Sequence, residues 1–129
     1  MFNLIYRDGA RENAGRYETL EKVSREAAFA CGQLVELSSG KATTVTTTGK
    51  VYGVVAADSP TGETEVVVLK VEHDMIFSAP TTVTSGLVKG AKFAVATGTD
   101  NGKLGAANAN GAATIVNVCD GVRVEVRFE

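Results

Sequence analysis

The feature that most limits how this chain can fold is an internal repeat, in which the second half echoes the first. The matched phrases are residues 32–41 with 90–103, residues 51–55 with 114–118, and residues 65–68 with 123–126. Such self-similarity indicates that one supersecondary unit is used twice. Each unit supplies three strands and cannot bury its apolar face alone, so we expect the two units to pack together and hide their sheet edges.

The residues between the repeated glycines favour short strands separated by tight turns. Val and Thr are abundant and suit a pleated surface, since their branched side chains are stiff at χ1. Strands are expected at residues 32–37, 41–48, 51–57 and 65–71, and residues 58–62, DSPTG, have the composition of a turn. The predicted fold is all-β, a small β-barrel or β-sandwich built from two similar three-strand repeats.

The first 16 residues are predicted to form an extended N-terminal arm. Two glycines interrupt this segment, and it is too short for a core of its own. Phe2, Leu4 and Tyr6 alternate with other residues, which weakly indicates a strand that pairs with something; the alternative is a frayed terminus. The rest, residues 17–129, is expected to be one β domain with repeat halves at about 23–74 and 81–129.

Three further segments leave alternatives open. Residues 17–30 have apolar residues at helical spacing, yet the strand that follows them suggests an extended lead-in. Residues 75–88 contain no charged side chain and form either a buried crossover between the repeats, which we favour, or an exposed binding patch. Cys31 and Cys119 are too few for a disulfide scaffold and are interpreted as small buried thiols.

Composition excludes several classes of protein. The chain of 129 residues is 44% hydrophobic and carries a net charge of −2, which is typical neither of a disordered protein nor of one that binds nucleic acid through a basic face. The sequence contains no apolar run long enough to cross a bilayer and no signal-peptide pattern near its start. We therefore expect no direct contact with nucleic acid or membrane.

Candidate catalytic groups are few. His73 is the only histidine and lies between Glu72 and Asp74. Neighbouring residues on a strand point to opposite faces, so this triplet is interpreted as a polar strand end rather than a metal site. Neither a nucleophile elbow nor a phosphate-binding loop is present. We expect no enzymatic activity, catalytic residue, metal or cofactor.

From residue 23 to residue 129 the chain resembles the capsid decoration proteins of tailed bacteriophages, also called capsid cement or head-stabilising proteins. The resemblance is carried by a series of turn-and-strand phrases: residues 23–37, 40–44, 51–58, 60–68, 75–80, 90–95, 102–104 and 122–129. The chain departs from the family at residues 115–118, IVNV, where a Gly-Val phrase is commonly repeated.

This resemblance implies a structural protein that binds the outer surface of an icosahedral capsid and stabilises it. It implies the major capsid protein as partner, a homotrimer on the capsid, synthesis in the host cytoplasm and a final place on the virion exterior. It also implies that residues 17–30 are extended. Aromatic residues and arginine are preferred interface anchors, and the residues expected to contact the shell are Phe2, Leu4, Tyr6, Arg7, Arg11 and Tyr17.

Two other functions are compatible with the same residues. One is another virion component, such as a tail or head-fibre module, which would use a similar β repertoire at lower copy number. The other is a small ligand-binding β domain or enzyme that uses His73 and nearby acids.

Overall fold

A computed structural model describes residues 1–7 and 16–128, which are folded into β-strands without any α-helix. The strands are β1 Asn3–Arg7, β2 Tyr17–Glu21, β3 Leu34–Ser38, β4 Lys41–Thr44, β5 Gly53–Val55, β6 Glu65–Lys70, β7 Met75–Pro80, β8 Lys92–Val95, β9 Leu104–Ala107, β10 Ala113–Val118 and β11 Arg123–Phe128. A single 3₁₀ turn, Gly98–Asp100, precedes β9.

The strands form two antiparallel sheets with the same internal order. The first sheet is ordered β2-β6-β5-β3-β4, and the second sheet is ordered β1-β7-β11-β10-β8-β9. When β1 is set aside, each strand of the first sheet has a counterpart five strands later in the second. The all-β prediction is therefore confirmed as a sandwich of two sheets, neither of which is closed into a barrel. The repeat contributes five strands per sheet instead of the three expected.

The strand register shows that one of the three matched phrases was aligned incorrectly between the repeats. Val54 pairs with Leu34 in β3, and Thr114 pairs with the corresponding residue of β8, Lys92. Thr114 therefore corresponds to Val54 and not to Val51, so the sequence match placed β5 three residues out of register. A shift of three residues would turn every side chain of β5 to the opposite face, and the pairing with β3 fixes the register.

A parallel bridge of the same kind covers one outer edge of each sheet. Just after β2 ends, Lys22 forms a parallel bridge with Ala42 of β4, and just after β7 ends, Thr81 forms one with Leu104 of β9. The Val23 and Thr82 N–H groups donate to the carbonyls of these partners, both at 2.9 Å. An exposed edge invites pairing with other chains, so these bridges protect β4 and β9.

The principal core lies between the sheets. Its largest fully buried side chains include Leu34 from the first sheet and Met75, Phe77, Phe93 and Ile115 from the second. A second cluster lies on the other face of the first sheet, where Phe29 packs with five aliphatic residues. Full burial of each large apolar side chain contributes about 1.5–3 kcal/mol, so this packing is the main source of stability.

A buried carboxamide links the two halves through the backbone. Asn101 is 6% exposed, and its Oδ1 accepts from the Leu34 N–H at 2.9 Å while its Nδ2 donates to the Leu34 carbonyl at 3.0 Å. β4 begins its pairing with β3 only at Val35. The Asn101 side chain therefore supplies the two hydrogen bonds that a longer β4 would have made to Leu34.

The structure decides the open segments. Residues 17–30 contain no helix, contrary to the helical spacing: they begin with β2 and, after a turn at residues 25–26, continue to a bridge at Phe29, so the extended conformation that the family resemblance implied holds for their first part. The first part of the uncharged segment is strand β7, mostly buried within the second sheet, and is not a crossover between the halves. The two cysteines were predicted to be buried but are free and exposed. Their small size allows burial, but both lie in connections rather than in strands.

We expect Asn101→Asp to lower the free energy of unfolding by roughly 1–3 kcal/mol, because a carboxylate accepts from the Leu34 N–H but leaves the buried Leu34 carbonyl without a donor. Denaturant unfolding measures the change. The matched control is Asn110→Asp at an exposed asparagine, which should leave the stability within experimental error. Equal stability of the two variants would contradict the proposed link.

Candidate partner-binding edge and cleft

The first residues of the chain belong to the sandwich and are not a free arm. β1 pairs antiparallel with β7, with Asn3 opposite Ser78 and Leu4 opposite Phe77. The Phe2 N–H also donates to the Gly32 carbonyl of the first half at 2.9 Å. The expected arm therefore does not describe residues 1–7, whose strand-like alternation reflects pairing within the same chain. The rest of the expected arm, residues 8–15, lies outside the described residues.

Phe2 does not fit the contact role expected for it. Its side chain is 1% exposed, and its ring lies 5.3 Å from that of Phe128, which lies 5.4 Å from the ring of Phe77. Tilted aromatic pairs at these distances stabilise a core beyond the area that they bury. We call these three rings the aromatic cluster. Phe2 is thus a core residue, and a partner could reach it only if β1 left the sheet.

The described part of the chain contains a cleft where β1 and β2 approach each other at one side of the sandwich. Its volume is about 280 Å³. The lining residues are Phe2, Asn3, Leu4, Tyr17, Cys31, Val54, Val55, Ala56, Leu69 and Phe77. Leu4 is half-buried and Tyr17 is 57% exposed. Three of the residues expected to contact a partner, Phe2, Leu4 and Tyr17, therefore line one cleft, although the Phe2 side chain is buried.

The remaining expected contact residues are placed only in part. Tyr6 and Arg7 lie in β1, in register with Ile76 and Met75. Arg11 lies outside the described residues. The structure thus brings Leu4 and Tyr17 together with the backbone of β1, and it assigns Phe2 to the core.

A polar cluster occupies the place in the first half that the aromatic cluster occupies in the second. The Tyr52 hydroxyl donates to Glu18 Oε2 at 2.5 Å, and Lys70 Nζ lies 5.9 Å from the centre of the Tyr52 ring. Glu18 pairs with Val68 as Phe77 pairs with Val126, and Lys70 pairs with Gly53 as Phe128 pairs with Ala113. Two charged residues therefore stand where the second half has phenylalanines.

The carboxylate of Glu18 changes the acidity of Tyr52. The hydrogen bond to Glu18 is the main cause that raises the pKa of the Tyr52 phenol, with smaller contributions from burial and from the charge of Glu18. The phenol must keep its proton in order to donate this bond. The hydrogen bond that joins Tyr52 to Glu18 therefore forms only while the Tyr52 phenol is protonated.

The candidate catalytic residues do not come together in one site. His73 is exposed in the connection between β6 and β7. Among residues 1–7 and 16–128, no three side chains of His, Cys, Asp or Glu are grouped so that they could hold a metal ion. Although Cys119 is exposed, partial desolvation and the nearby carboxylates of Glu125 and Asp120 raise the pKa of its thiol, which favours the protonated form. None of the helical turns in the described part of the chain is long and apolar enough to cross a bilayer.

Sequence reasoning missed the polar cluster and Asn101. Glu18 and Tyr52 are 34 residues apart, and Asn101 and Leu34 are 67 apart, so neither contact has a local signature. A comparison of the two repeats could have found the cluster, because Glu18 and Lys70 interrupt positions that are phenylalanine in the second half.

Comparisons of this chain with protein-family models, with curated proteins and with solved structures found no match.

We expect Phe2→Ala to lower the free energy of unfolding by about 3–5 kcal/mol, because it removes one ring of the aromatic cluster and leaves a cavity. Thermal or denaturant unfolding of the isolated protein measures the loss. The control is Leu37→Ala, at a position that is 41% exposed, which should cost much less. Unchanged stability of Phe2→Ala would show that the residue is not part of the core.

The Tyr52–Glu18 hydrogen bond predicts a pH dependence of stability. Because the folded-state pKa of Tyr52 is raised, the stabilisation is complete below the ordinary tyrosine value of 10.0 and is lost as the pH rises through the folded-state pKa. Stability should therefore fall more steeply above pH 10 in the native protein than in Tyr52→Phe, which has no phenol to ionise. Parallel pH profiles of the two proteins would contradict this assignment.

Proposed function

We propose that this chain is a structural, non-enzymatic virion protein that binds the outer surface of an icosahedral phage capsid and stabilises it. The partner is the major capsid protein, and the bound form is a homotrimer on the virion exterior. The observation that carries the proposal is the agreement between the family phrases and the repeat: residues 40–44 and 102–104, for example, lead into β4 and into its counterpart β9.

The arrangement of sheet edges supports a binding role confined to one side. Parallel bridges cover the outer edges of β4 and β9, whereas β1 and β2, the last strands of their sheets in the described part of the chain, lie beside the cleft. A protein that binds a lattice at high copy number needs one side that contacts the lattice. Its other sheet edges must be protected from pairing with neighbouring chains. Many weakly bound copies can then stabilise a shell, because each copy that binds only the intact lattice adds to its stability.

A second virion role would follow if the copy number were low. Quantitative mass spectrometry of purified particles from the source measures the ratio of this chain to the major capsid protein. We expect a ratio near parity, which a protein bound throughout the lattice requires. A few copies per particle would instead identify a tail or head-fibre module, and complete absence from particles would refute both virion roles.

We expect Tyr17→Ser to weaken capsid binding by roughly tenfold, because exposed aromatic residues are common interface anchors and their loss costs about 1–2 kcal/mol. Co-sedimentation with capsids that lack this protein measures the affinity. The control is Val122→Ser, which removes a side chain of similar exposure, 58%, in the turn before β11 and away from the cleft. Deleting residues 1–16 is not a clean test, because it also removes β1 and Phe2.

Equal loss of binding in Tyr17→Ser and Val122→Ser would contradict the proposed contact side. Binding that is unaffected in both variants would place the contact on another face of the sandwich.

A further inference from the structure

The two sheets differ at a single position in their strand order. In the second sheet the outer edge of β7 carries β1, whereas in the first sheet β2 is the last strand among the described residues. β2 and β7 have equivalent places, since each pairs with the last strand of its own repeat. The first sheet therefore ends one strand short of the second.

The register shows that the two edges match residue by residue. Glu21 pairs with Glu65 of β6, as Pro80 pairs with Arg123 of β11. The corresponding residues are Tyr17 with Ile76, Glu18 with Phe77, and Thr19 with Ser78. Ile76 and Ser78 lie opposite Tyr6 and Asn3 of β1. Tyr17 and Thr19 are thus the residues that an additional strand would meet.

The peptide groups of Tyr17 and Thr19 point away from β6. The Lys70 N–H donates to the Arg16 carbonyl at 2.8 Å, and the Lys22 N–H donates to the Thr64 carbonyl at 2.9 Å. Because hydrogen-bonded pairs alternate in an antiparallel ladder, the even-numbered residues of β2 bond β6 and the odd-numbered ones face outward. In the part of the chain that the structure describes, β6 is the only strand paired with residues 17–19.

The side chains at this edge define what a paired strand must carry. On one face, a residue of the added strand that lies opposite Glu18 would be beside its carboxylate. The equivalent residue in the second sheet is Leu4, which lies opposite Phe77. On the other face, Tyr17 is 57% exposed and Val67, the cross-strand neighbour of Thr19, is 37% exposed. Opposite charges and apolar pairs are the favourable cross-strand combinations.

We propose that the outer edge of β2 binds an extended segment of a partner protein as an antiparallel sixth strand, in the position that β1 has on β7. The bound segment carries a basic residue opposite Glu18, flanked by apolar residues opposite Tyr17 and Thr19. Main-chain hydrogen bonds to Tyr17 and Thr19 provide affinity, and the alternating side chains provide specificity. The inference rests on the proposed function only in taking the partner to be a capsid protein.

A synthetic peptide tests the proposal without any capsid. The probe is a short blocked peptide with Thr-Val-Lys-Val-Thr at its centre, and its control has glutamate in place of lysine. Titration of each peptide into the isotopically labelled protein, followed by amide NMR and hydrogen exchange, measures affinity and locates the contact. We expect protection of the Tyr17 and Thr19 amides and at least about fivefold tighter binding of the lysine peptide.

Two variants separate main-chain pairing from charge. Thr19→Pro removes one outward N–H without touching the bonds to β6, which suits proline at a sheet edge, and it should abolish peptide binding. Thr19→Val keeps that N–H and should bind like the native protein. Glu18→Lys should reverse the preference between the two peptides, and the amide spectrum of each variant verifies its fold.

Equal binding of both peptides, protection confined to other strands, or unchanged binding by Thr19→Pro would overturn the proposal. Self-association through β2, seen by sedimentation, would also overturn it, because the edge would then serve a second copy of this chain. Failure of capsid binding with intact peptide binding would count against the proposed function alone.

Discussion

The Asn101 carboxamide makes two hydrogen bonds to Leu34 and joins the halves at a buried point. The sheets cover each other through an apolar interface, but apolar contact is non-directional and does not by itself fix one alignment. A buried amide that must satisfy both peptide groups of one residue does so, because any slip leaves polar atoms unpaired. The cleft and the neighbouring edges of β1 and β2 depend on that alignment.

The two halves share a strand order but differ in the side chains at the edge beside β2. Apart from β1, the strand order and the edge bridges are the same in both halves, while the register shifts in β8–β9 and β10–β11 occur only in the second half. The aromatic cluster of the second half is replaced in the first by Glu18, Tyr52 and Lys70. The aromatic cluster packs where β1 meets β7, whereas the polar cluster leaves a charged surface beside β2. The divergence of the halves thus coincides with the edge that we propose for binding.

Much of the fold could be predicted from the sequence because its signals are local. Turn glycines and β-branched runs mark β3 to β6 and their counterparts, and the repeat pairs them correctly except for β5. The site was harder to predict, because it depends on contacts between distant residues. Alternation in residues 2–6 indicates a strand but cannot identify its partner, so Phe2 was expected at a surface. Tyr17 is exposed at the cleft, and its contact with a partner stays a prediction.

Apart from β1, each sheet is a continuous piece of chain, from residue 17 to residue 70 or from residue 75 to residue 128. The strands of each piece pair with one another, whereas β1 lies outside both pieces and pairs on one side only, with β7 about seventy residues away in the chain. We therefore expect β1 to join the sheet late in folding and to separate early in local opening. Each separation would expose the outer edge of β7, which is equivalent to that of β2. The fraction of time that β1 spends away from the sheet therefore determines how often the protein has two free binding edges instead of one.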